Sequence, residues 1–233
     1  MRAAPRSRRE RPAKPALSRE GIVDAAMTVL ADDGFEKLTM RRLAADLDTG
    51  PASLYVYVAN TTELHALVIA RLLAGLDLDW DGRGDWRVRL RELLVDYVTL
   101  LIGHPGLARS ALAVWPDGPH YLDLVETVLR LLTSGGVPAG RAAWGVDVLL
   151  QFATGMAAEY GTRSESDEQD IADLTTALGA ATPQRHPILS SLGAARMVGG
   201  ERGARRDWAL DSVIAGVAST PRNDNSQPDT TSS

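Results

Sequence analysis

Residues 38–64 read LTMRRLAADLDTGPASLYVYVANTTEL, and the reading of this stretch decides the fold. Thr39 is placed to cap a short helix in which Met40, Leu43, Ala44 and Leu47 form an apolar face, leaving Arg41 and Arg42 free to reach outward. Asp48-Thr49-Gly50 interrupts that pattern. Pro51 then suits the first position of a new helix, where no N–H is needed and φ is already set, and the second helix is predicted over Pro51-Ala52-Ser53-Leu54-Tyr55-Val56-Tyr57. Two short helices across so tight a turn, with Leu47 and Leu54 available to pack between them, make a helix-turn-helix unit, whose second helix enters a major groove.

The polar groups around this unit fit a nucleic-acid partner. Ser53, Tyr55 and Tyr57 offer hydroxyls to phosphate oxygens, and the N-termini of the two short helices favour an anion. Such contacts position the protein, while base reading falls to Arg41, Thr49, Ala52 and Ser53. Taken singly, Tyr55 reads equally well as a core aromatic, and Arg41 and Arg42 as a solvated helix face; the constellation carries the inference.

Upstream, Ser18 caps a predicted helix with apolar positions Ile22, Val23, Ala26, Met27, Val29 and Leu30, ended by Gly34. Before it, residues 1–17 hold Arg2, Arg6, Arg8, Arg9, Arg11 and Lys14 among prolines, which predicts a disordered basic arm able to follow phosphates or enter the minor groove. No apolar run follows these charges as a secretory signal requires.

Charge is partitioned. Residues 1–65 carry 10 Lys and Arg against 9 Asp and Glu, whereas the rest carries 15 against 21, for a net −5 over 233 residues. The basic footprint is therefore local, and an acidic second part argues against a structural nucleoid protein. No cysteine is present, so neither a disulfide framework nor a thiolate metal site is available. No apolar run approaches the roughly 20 residues of a membrane span, and the expected location is cytoplasmic, without a membrane partner. Ser110, His104 and Asp117 can be drawn as a catalytic set, but no nucleophile elbow, metal cluster or phosphate loop supports them; neither enzymatic activity, cofactor nor metal is expected.

Beyond residue 65 the pattern stays helical: apolar spacing runs through Leu64 to Leu78, Trp86 to Ile102, Leu107 to Trp115, His120 to Thr133, Pro138 to Gly161, Pro187 to Val198 and Arg205 to Ala218. The acidic run Ser164 to Asp170 reads as a loop, with a weak helical stretch near Asp173 to Leu178. The expected organisation is all-α: a basic arm (1–17), a helix-turn-helix domain (18–65), a helical effector-binding and dimerisation domain (66–218) and a disordered tail (219–233). Small residues on two late helices, Ala142, Gly145, Ala153, Gly155, Ala157 and Ala158 on one and Ala209, Ala215 and Gly216 on the other, allow close helix approach either across a dimer axis or within the subunit.

Residues 18–67 resemble the N-terminal domain of the TetR family of bacterial transcriptional repressors, through Ala31-Asp32-Asp33-Gly34-Phe35, Leu38 to Ala44, Ser53-Leu54-Tyr55, Asn60 and Glu63-Leu64. The resemblance implies DNA contacts from Thr39, Arg41, Arg42, Thr49, Pro51, Ala52, Ser53, Tyr55, Tyr57 and Thr61, a homodimer made by the last long helices, and a palindromic operator. Three departures stand out: Asp48 replaces a frequent turn glycine, Tyr57 a frequent histidine, and Thr61 a common lysine. Asn60 and Glu63 remain able to cap the following helix.

The implied function is a repressor released from operator DNA by a small organic effector, with an activator or protein-responsive regulator of the same family as the alternative. Tyr97, His104, Trp115, Phe152, Met156 and Glu159 are the candidate effector-binding residues, with His120 and Gln151 as further polar groups. Trp86, Pro116, Tyr121, Phe152, Gly155 and Glu159 are also similar to the tetracycline-repressor branch. In that register Glu159 matches a glutamate that helps hold drug-bound magnesium, but Ala111 stands in place of the magnesium histidine, and Asp77 and Leu93 replace other polar contacts. A different organic ligand is implied.

Overall fold

Ser18 accepts a hydrogen bond from the Gly21 N–H and opens α1, Arg19–Asp33, which buries Ile22, Val23, Ala26, Val29 and Leu30. Met27 is half-buried on its flank. A 3₁₀ turn, Phe35–Lys37, leads to α2, Met40–Asp46, capped by the Thr39 hydroxyl accepting from the Arg42 N–H at 3.1 Å. This computed structural model describes residues 16–113, 116, 118–163 and 167–222. Residues 1–15 of the expected arm, Trp115, Asp117 and the tail from 223 lie outside them.

Helix α2 ends in a double hydrogen-bonded cap. The Asp48 N–H donates to the Ala45 carbonyl at 3.0 Å, and the Thr49 N–H donates to the Ala44 carbonyl at 2.8 Å. That Schellman pattern demands a left-handed residue at Asp48, which has φ 48°, the one non-glycine residue with positive φ among those described. Aspartate is among the few side chains that visit this region at modest cost.

Gly50 and Pro51 start α3, which is a single turn, Pro51–Leu54, and not the seven-residue helix the sequence predicts. The Tyr55 N–H reaches the Pro51 carbonyl at a long 3.4 Å, and the Tyr57 N–H turns to Leu54 at 2.9 Å, so the chain tightens before Val58 buries. Asn60 Oδ1 accepts from the Glu63 N–H at 2.8 Å and opens α4, Thr61–Leu73. Glu63 in turn accepts from the Ala59 N–H and pairs with Arg19, both at 2.6 Å.

The chain separates into two compact units, residues 1–64 and 65–233, with α4 beginning in the first and continuing into the second. Its helix stops at Leu73, short of the predicted Leu78, because the Asp79 N–H is taken by the Asp77 side chain and Arg89 gathers the Asp77 and Asp79 carbonyls.

In the second unit α5, Trp86–Ile102, starts at Asp85, whose carboxylate accepts from the Arg87 N–H. There follow α6, Pro105–Ala111; α7, Pro119–Ser134; and α8, Ala139–Arg163. Helix α6 ends at Ala111, before the predicted Trp115. Then come α9, Asp167–Gly179; α10, Pro187–Leu192; α11, Ala194–Val198; and α12, Arg202–Ser219. Helix α8 is the spine, packing against α5, α6, α7 and α12. Leu90, Leu93, Leu94, Leu101, Leu107 and Leu124 are fully buried, each worth roughly 1.5–3 kcal/mol.

Two close approaches require glycine. A methyl at Gly135 would lie 2.0 Å from the Trp86 ring, and one at Gly145 would lie 2.4 Å from Val217. Two sequence expectations need correction here. Asp167–Asp170 belongs to α9 instead of a loop, and the stretch predicted as one helix over Pro187–Val198 is broken at Gly193, φ 77°. No strand occurs, and no helix is long and apolar enough to cross a membrane, among the described residues.

Candidate functional site

The first unit presents one coherent polar surface. Thr39, Arg41, Pro51, Ala52, Ser53, Tyr55, Tyr57 and Thr61 are all exposed, and Thr49 is half-buried beside them. Tyr55 is 51% exposed, which rules out a core role for its ring in this unit; Leu54 and Val58 fill the core positions around it. The Thr39 oxygen accepts from the Arg42 N–H, so its own O–H remains a donor.

Arg42 departs from expectation. Its guanidinium lies 2.8 Å from Asp33 and 2.8 Å from Asp46, tying the end of α1 to α2. Its pKa is raised, first by the hydrogen bond to Asp46 and then by the charge of Asp33. Both arginines are exposed, but Arg42 is engaged by two carboxylates of its own unit. The expected donors at the start of α3 are also fewer: Pro51 has no N–H, and the Ser53 N–H donates to the Gly50 carbonyl at 3.0 Å. Val56 was missed. It is 78% exposed between the two tyrosines, where its methyl groups suit contact with a thymine methyl. Its only sequence signal is the alternation Tyr55-Val56-Tyr57-Val58, which does not say which valine is buried.

The second unit contains a cavity of about 400 Å³ walled by four helices. Tyr97 enters from α5, Ala111 and Leu112 from the end of α6, Tyr121 from α7, and Asp147, Leu150, Gln151 and Thr154 from α8, with Pro116 beside them. The Tyr97 hydroxyl and Thr154 Oγ1 share a buried hydrogen bond of 2.8 Å. Burial pushes the Tyr97 phenol up to about 12; the Thr154 bond lowers it and nearby Tyr121 raises it slightly. Burial also raises the Tyr121 phenol, with the Asp147 charge adding to it. Gln151 Nε2 donates to Asp147 Oδ1 at 2.8 Å and fixes that carboxylate in the wall.

Of the sequence candidates, Tyr97 and the further polar group Gln151 line this cavity, together with Tyr121. Met156 is buried elsewhere in the core, Glu159 is exposed, and His104 sits at the start of α6, its pKa lowered by burial. Trp115 lies outside the described residues. Phe152 is 36% exposed and belongs to a different feature: Trp144, Val148 and Phe152 recur every four residues on α8, beside α12 with Trp208 73% exposed. Most of the small residues noted in the sequence instead pack inside the subunit, Ala142, Ala153, Ala157 and Ala158 being buried and Gly145 lying against Val217.

Helix α4 meets α6 through the His65 Nδ1 and Ser110 Oγ atoms, 3.0 Å apart, and burial lowers the His65 pKa so that the ring is neutral at pH 7. Asp77, which stands where the tetracycline site has another polar contact, is held by Arg89 at 3.5 Å and does not line the cavity. No cluster of three or more potential metal-ligating side chains exists among the described residues.

The architecture is a helix-turn-helix unit followed by a helical unit that carries an open cavity. Residues 22–66 match the bacterial regulatory proteins of the tetR family, and residues 80–220 match the tetracyclin repressor-like C-terminal domain. The chain belongs to the tetR family of transcriptional regulators.

Among solved structures, the transcription regulator SCO7704 of Streptomyces coelicolor is 48% identical, with 90% of this chain and 98% of that one covered and a TM-score of 0.76. The same organism's ActR bound to actinorhodin is 32% identical, covering 87% and 96% with a TM-score of 0.76. The transcriptional repressor DrrR1 of Streptomyces coeruleorubidus is 29% identical over 179 residues, covering 76% of this chain; the match spans 66% of that relative's length.

Proposed function

We propose that this chain is a cytoplasmic repressor that binds a palindromic operator as a homodimer and is released by a small organic ligand, with no catalytic step. The observation that carries this reading is the cavity of about 400 Å³ in the same chain as an exposed reading head, with α4 continuing from one unit into the other. The similarity to ActR, solved with actinorhodin, supports a cavity of this kind as an effector site.

In this reading Thr39, Pro51, Tyr55, Tyr57 and Thr61 meet the phosphate backbone, while Arg41, Thr49, Ala52, Ser53 and Val56 face the bases. Arg42 positions α2 through its two carboxylates. Trp144, Val148, Phe152 and Trp208 form the dimer face, because exposed apolar side chains on two adjacent helices suit a self-complementary four-helix contact, although the Trp144 ring is stacked on Arg222 within the subunit. The effector site is the Tyr97, Tyr121, Asp147, Gln151 and Thr154 cavity.

The test is selection of bound fragments from random DNA, followed by a ligand-release screen on the enriched site. A two-fold symmetric site with half-sites about one helical turn apart, or a multiple of it, is expected. Binding without sequence preference, or enrichment of a single half-site by a monomer, would refute the reading; ligands that strengthen binding would make the protein a ligand-dependent co-repressor or activator.

A further inference from the structure

Asp147 is the one charged side chain among the described residues that line the cavity, and no lysine, arginine or histidine lines it with Asp147. No cation pairs with Asp147 among the described residues. Its hydrogen-bond partner is the neutral Gln151 amide, which occupies Oδ1 and leaves Oδ2 able to accept. Asp147 is half-buried in this wall, so its carboxylate is presented to a ligand by the helix and by Gln151.

The rest of the wall agrees. Tyr97 and Thr154 share one hydrogen bond, so the pair retains a hydroxyl for a neutral polar group, and Tyr121 stays a phenol donor near the carboxylate. Leu150 and Leu112 supply apolar surface. We propose that the cavity selects an organic ammonium ion: an apolar or aromatic body of at most about 400 Å³ whose protonated amine pairs with Asp147 and whose oxygen substituents meet Tyr97 or Tyr121. This inference rests on the cavity being the effector site. Carboxylate ligands are disfavoured by the same wall, since they bring a second negative charge and no cationic side chain lines it among the described residues.

Three fluorescent probes with one aromatic body separate the charge from the shape: dansylcadaverine, its N-acetyl derivative, and dansyl-aminohexanoate. At pH 7 the full chain is expected to bind the ammonium probe at least tenfold more tightly than the neutral one, and the carboxylate probe more weakly still. Asp147→Asn should remove the preference without weakening the neutral probe, and Asp147→Glu should restore most of it. Ala111→Phe, which fills the cavity, should abolish binding of all three. Far-ultraviolet circular dichroism and operator binding check that each variant is folded.

Equal binding of the three probes, or a preference that survives Asp147→Asn, overturns the ammonium assignment while leaving the cavity reading in place. Binding that survives Ala111→Phe puts the probes elsewhere and overturns the assignment of the site. No binding of any probe by a chain that still binds its operator overturns both.

Discussion

Burial of the Tyr97 hydroxyl makes a measurable demand on stability at alkaline pH. In the unfolded chain Tyr97 titrates near 10, and in the folded chain burial holds it protonated up to about 12. Between these values the unfolded state has lost a proton that the native state keeps, so stability falls as pH rises through the window; below pH 10 the group contributes no pH dependence. The interval from 10 to about 12 corresponds to about 3 kcal/mol, at roughly 1.4 kcal/mol for each tenfold change in the ionisation equilibrium. Tyr121, also raised, adds a slope of the same sign, so the wild type alone does not isolate Tyr97.

Tyr97→Phe does. It should remove most of the 10-to-12 slope, measured by urea unfolding at stepped pH, and the tyrosinate absorbance of the native wild type should lag that of the variant. At pH 7 the same variant leaves buried Thr154 without its partner, at a cost of about 1–2 kcal/mol, and the double variant Tyr97→Phe with Thr154→Val should recover part of that loss. An unchanged alkaline slope in Tyr97→Phe, together with additive single variants, would refute the buried pair.

Three further outcomes follow from the packing and charge. Arg41→Ala should weaken operator binding by about 1–3 kcal/mol and relax the preference at the base it meets, read by titrating single-base operator variants, whereas Arg42→Ala should lower the thermal stability of the first unit with the sequence preference retained. Gly135→Ala must displace the Trp86 ring and should destabilise the protein by about 1–3 kcal/mol, read as a shift in urea midpoint at constant m-value. Trp208→Glu should give monomers by sedimentation at concentrations where the parent is dimeric, with helical content unchanged; a retained dimer places the interface elsewhere.

The reading head is legible in the sequence because its signals are local. A hydroxyl cap at Thr39, a left-handed position at Asp48, a proline at the first turn and the Asn60 and Glu63 cap each act within a few residues. The cavity is less legible because its lining depends on the rotational phase of one long helix. Adjacent residues on α8 are turned by about 100° relative to each other, so Gln151 lines the cavity while its neighbour Phe152 is exposed on another face. Composition marks both as candidates and cannot separate them. The same holds for Arg41 and Arg42, adjacent and chemically alike, where only the placement of Asp33 and Asp46 shows which is engaged.

In the proposed function, the hydrogen bond between His65 and Ser110 is the contact through which an effector would act on α4. Ser110 precedes Ala111 and Leu112, which line the cavity, and its hydroxyl meets His65 on α4, the helix that starts beside the Asn60 cap of the first unit. A ligand that moves the end of α6 therefore works against this hydrogen bond, and only a difference in its affinity for the two arrangements can shift DNA binding. A net hydrogen bond is worth about 1 kcal/mol, which corresponds to roughly fivefold in an equilibrium. Ser110→Ala should accordingly reduce the ligand-induced change in operator affinity by about fivefold while leaving ligand affinity for the DNA-free protein nearly unchanged. The measurement is a pair of operator titrations, with and without a verified ligand, for parent and variant. If the ratio of the two affinities is the same in both proteins, α6 and α4 are coupled by packing alone and this hydrogen bond carries none of the signal.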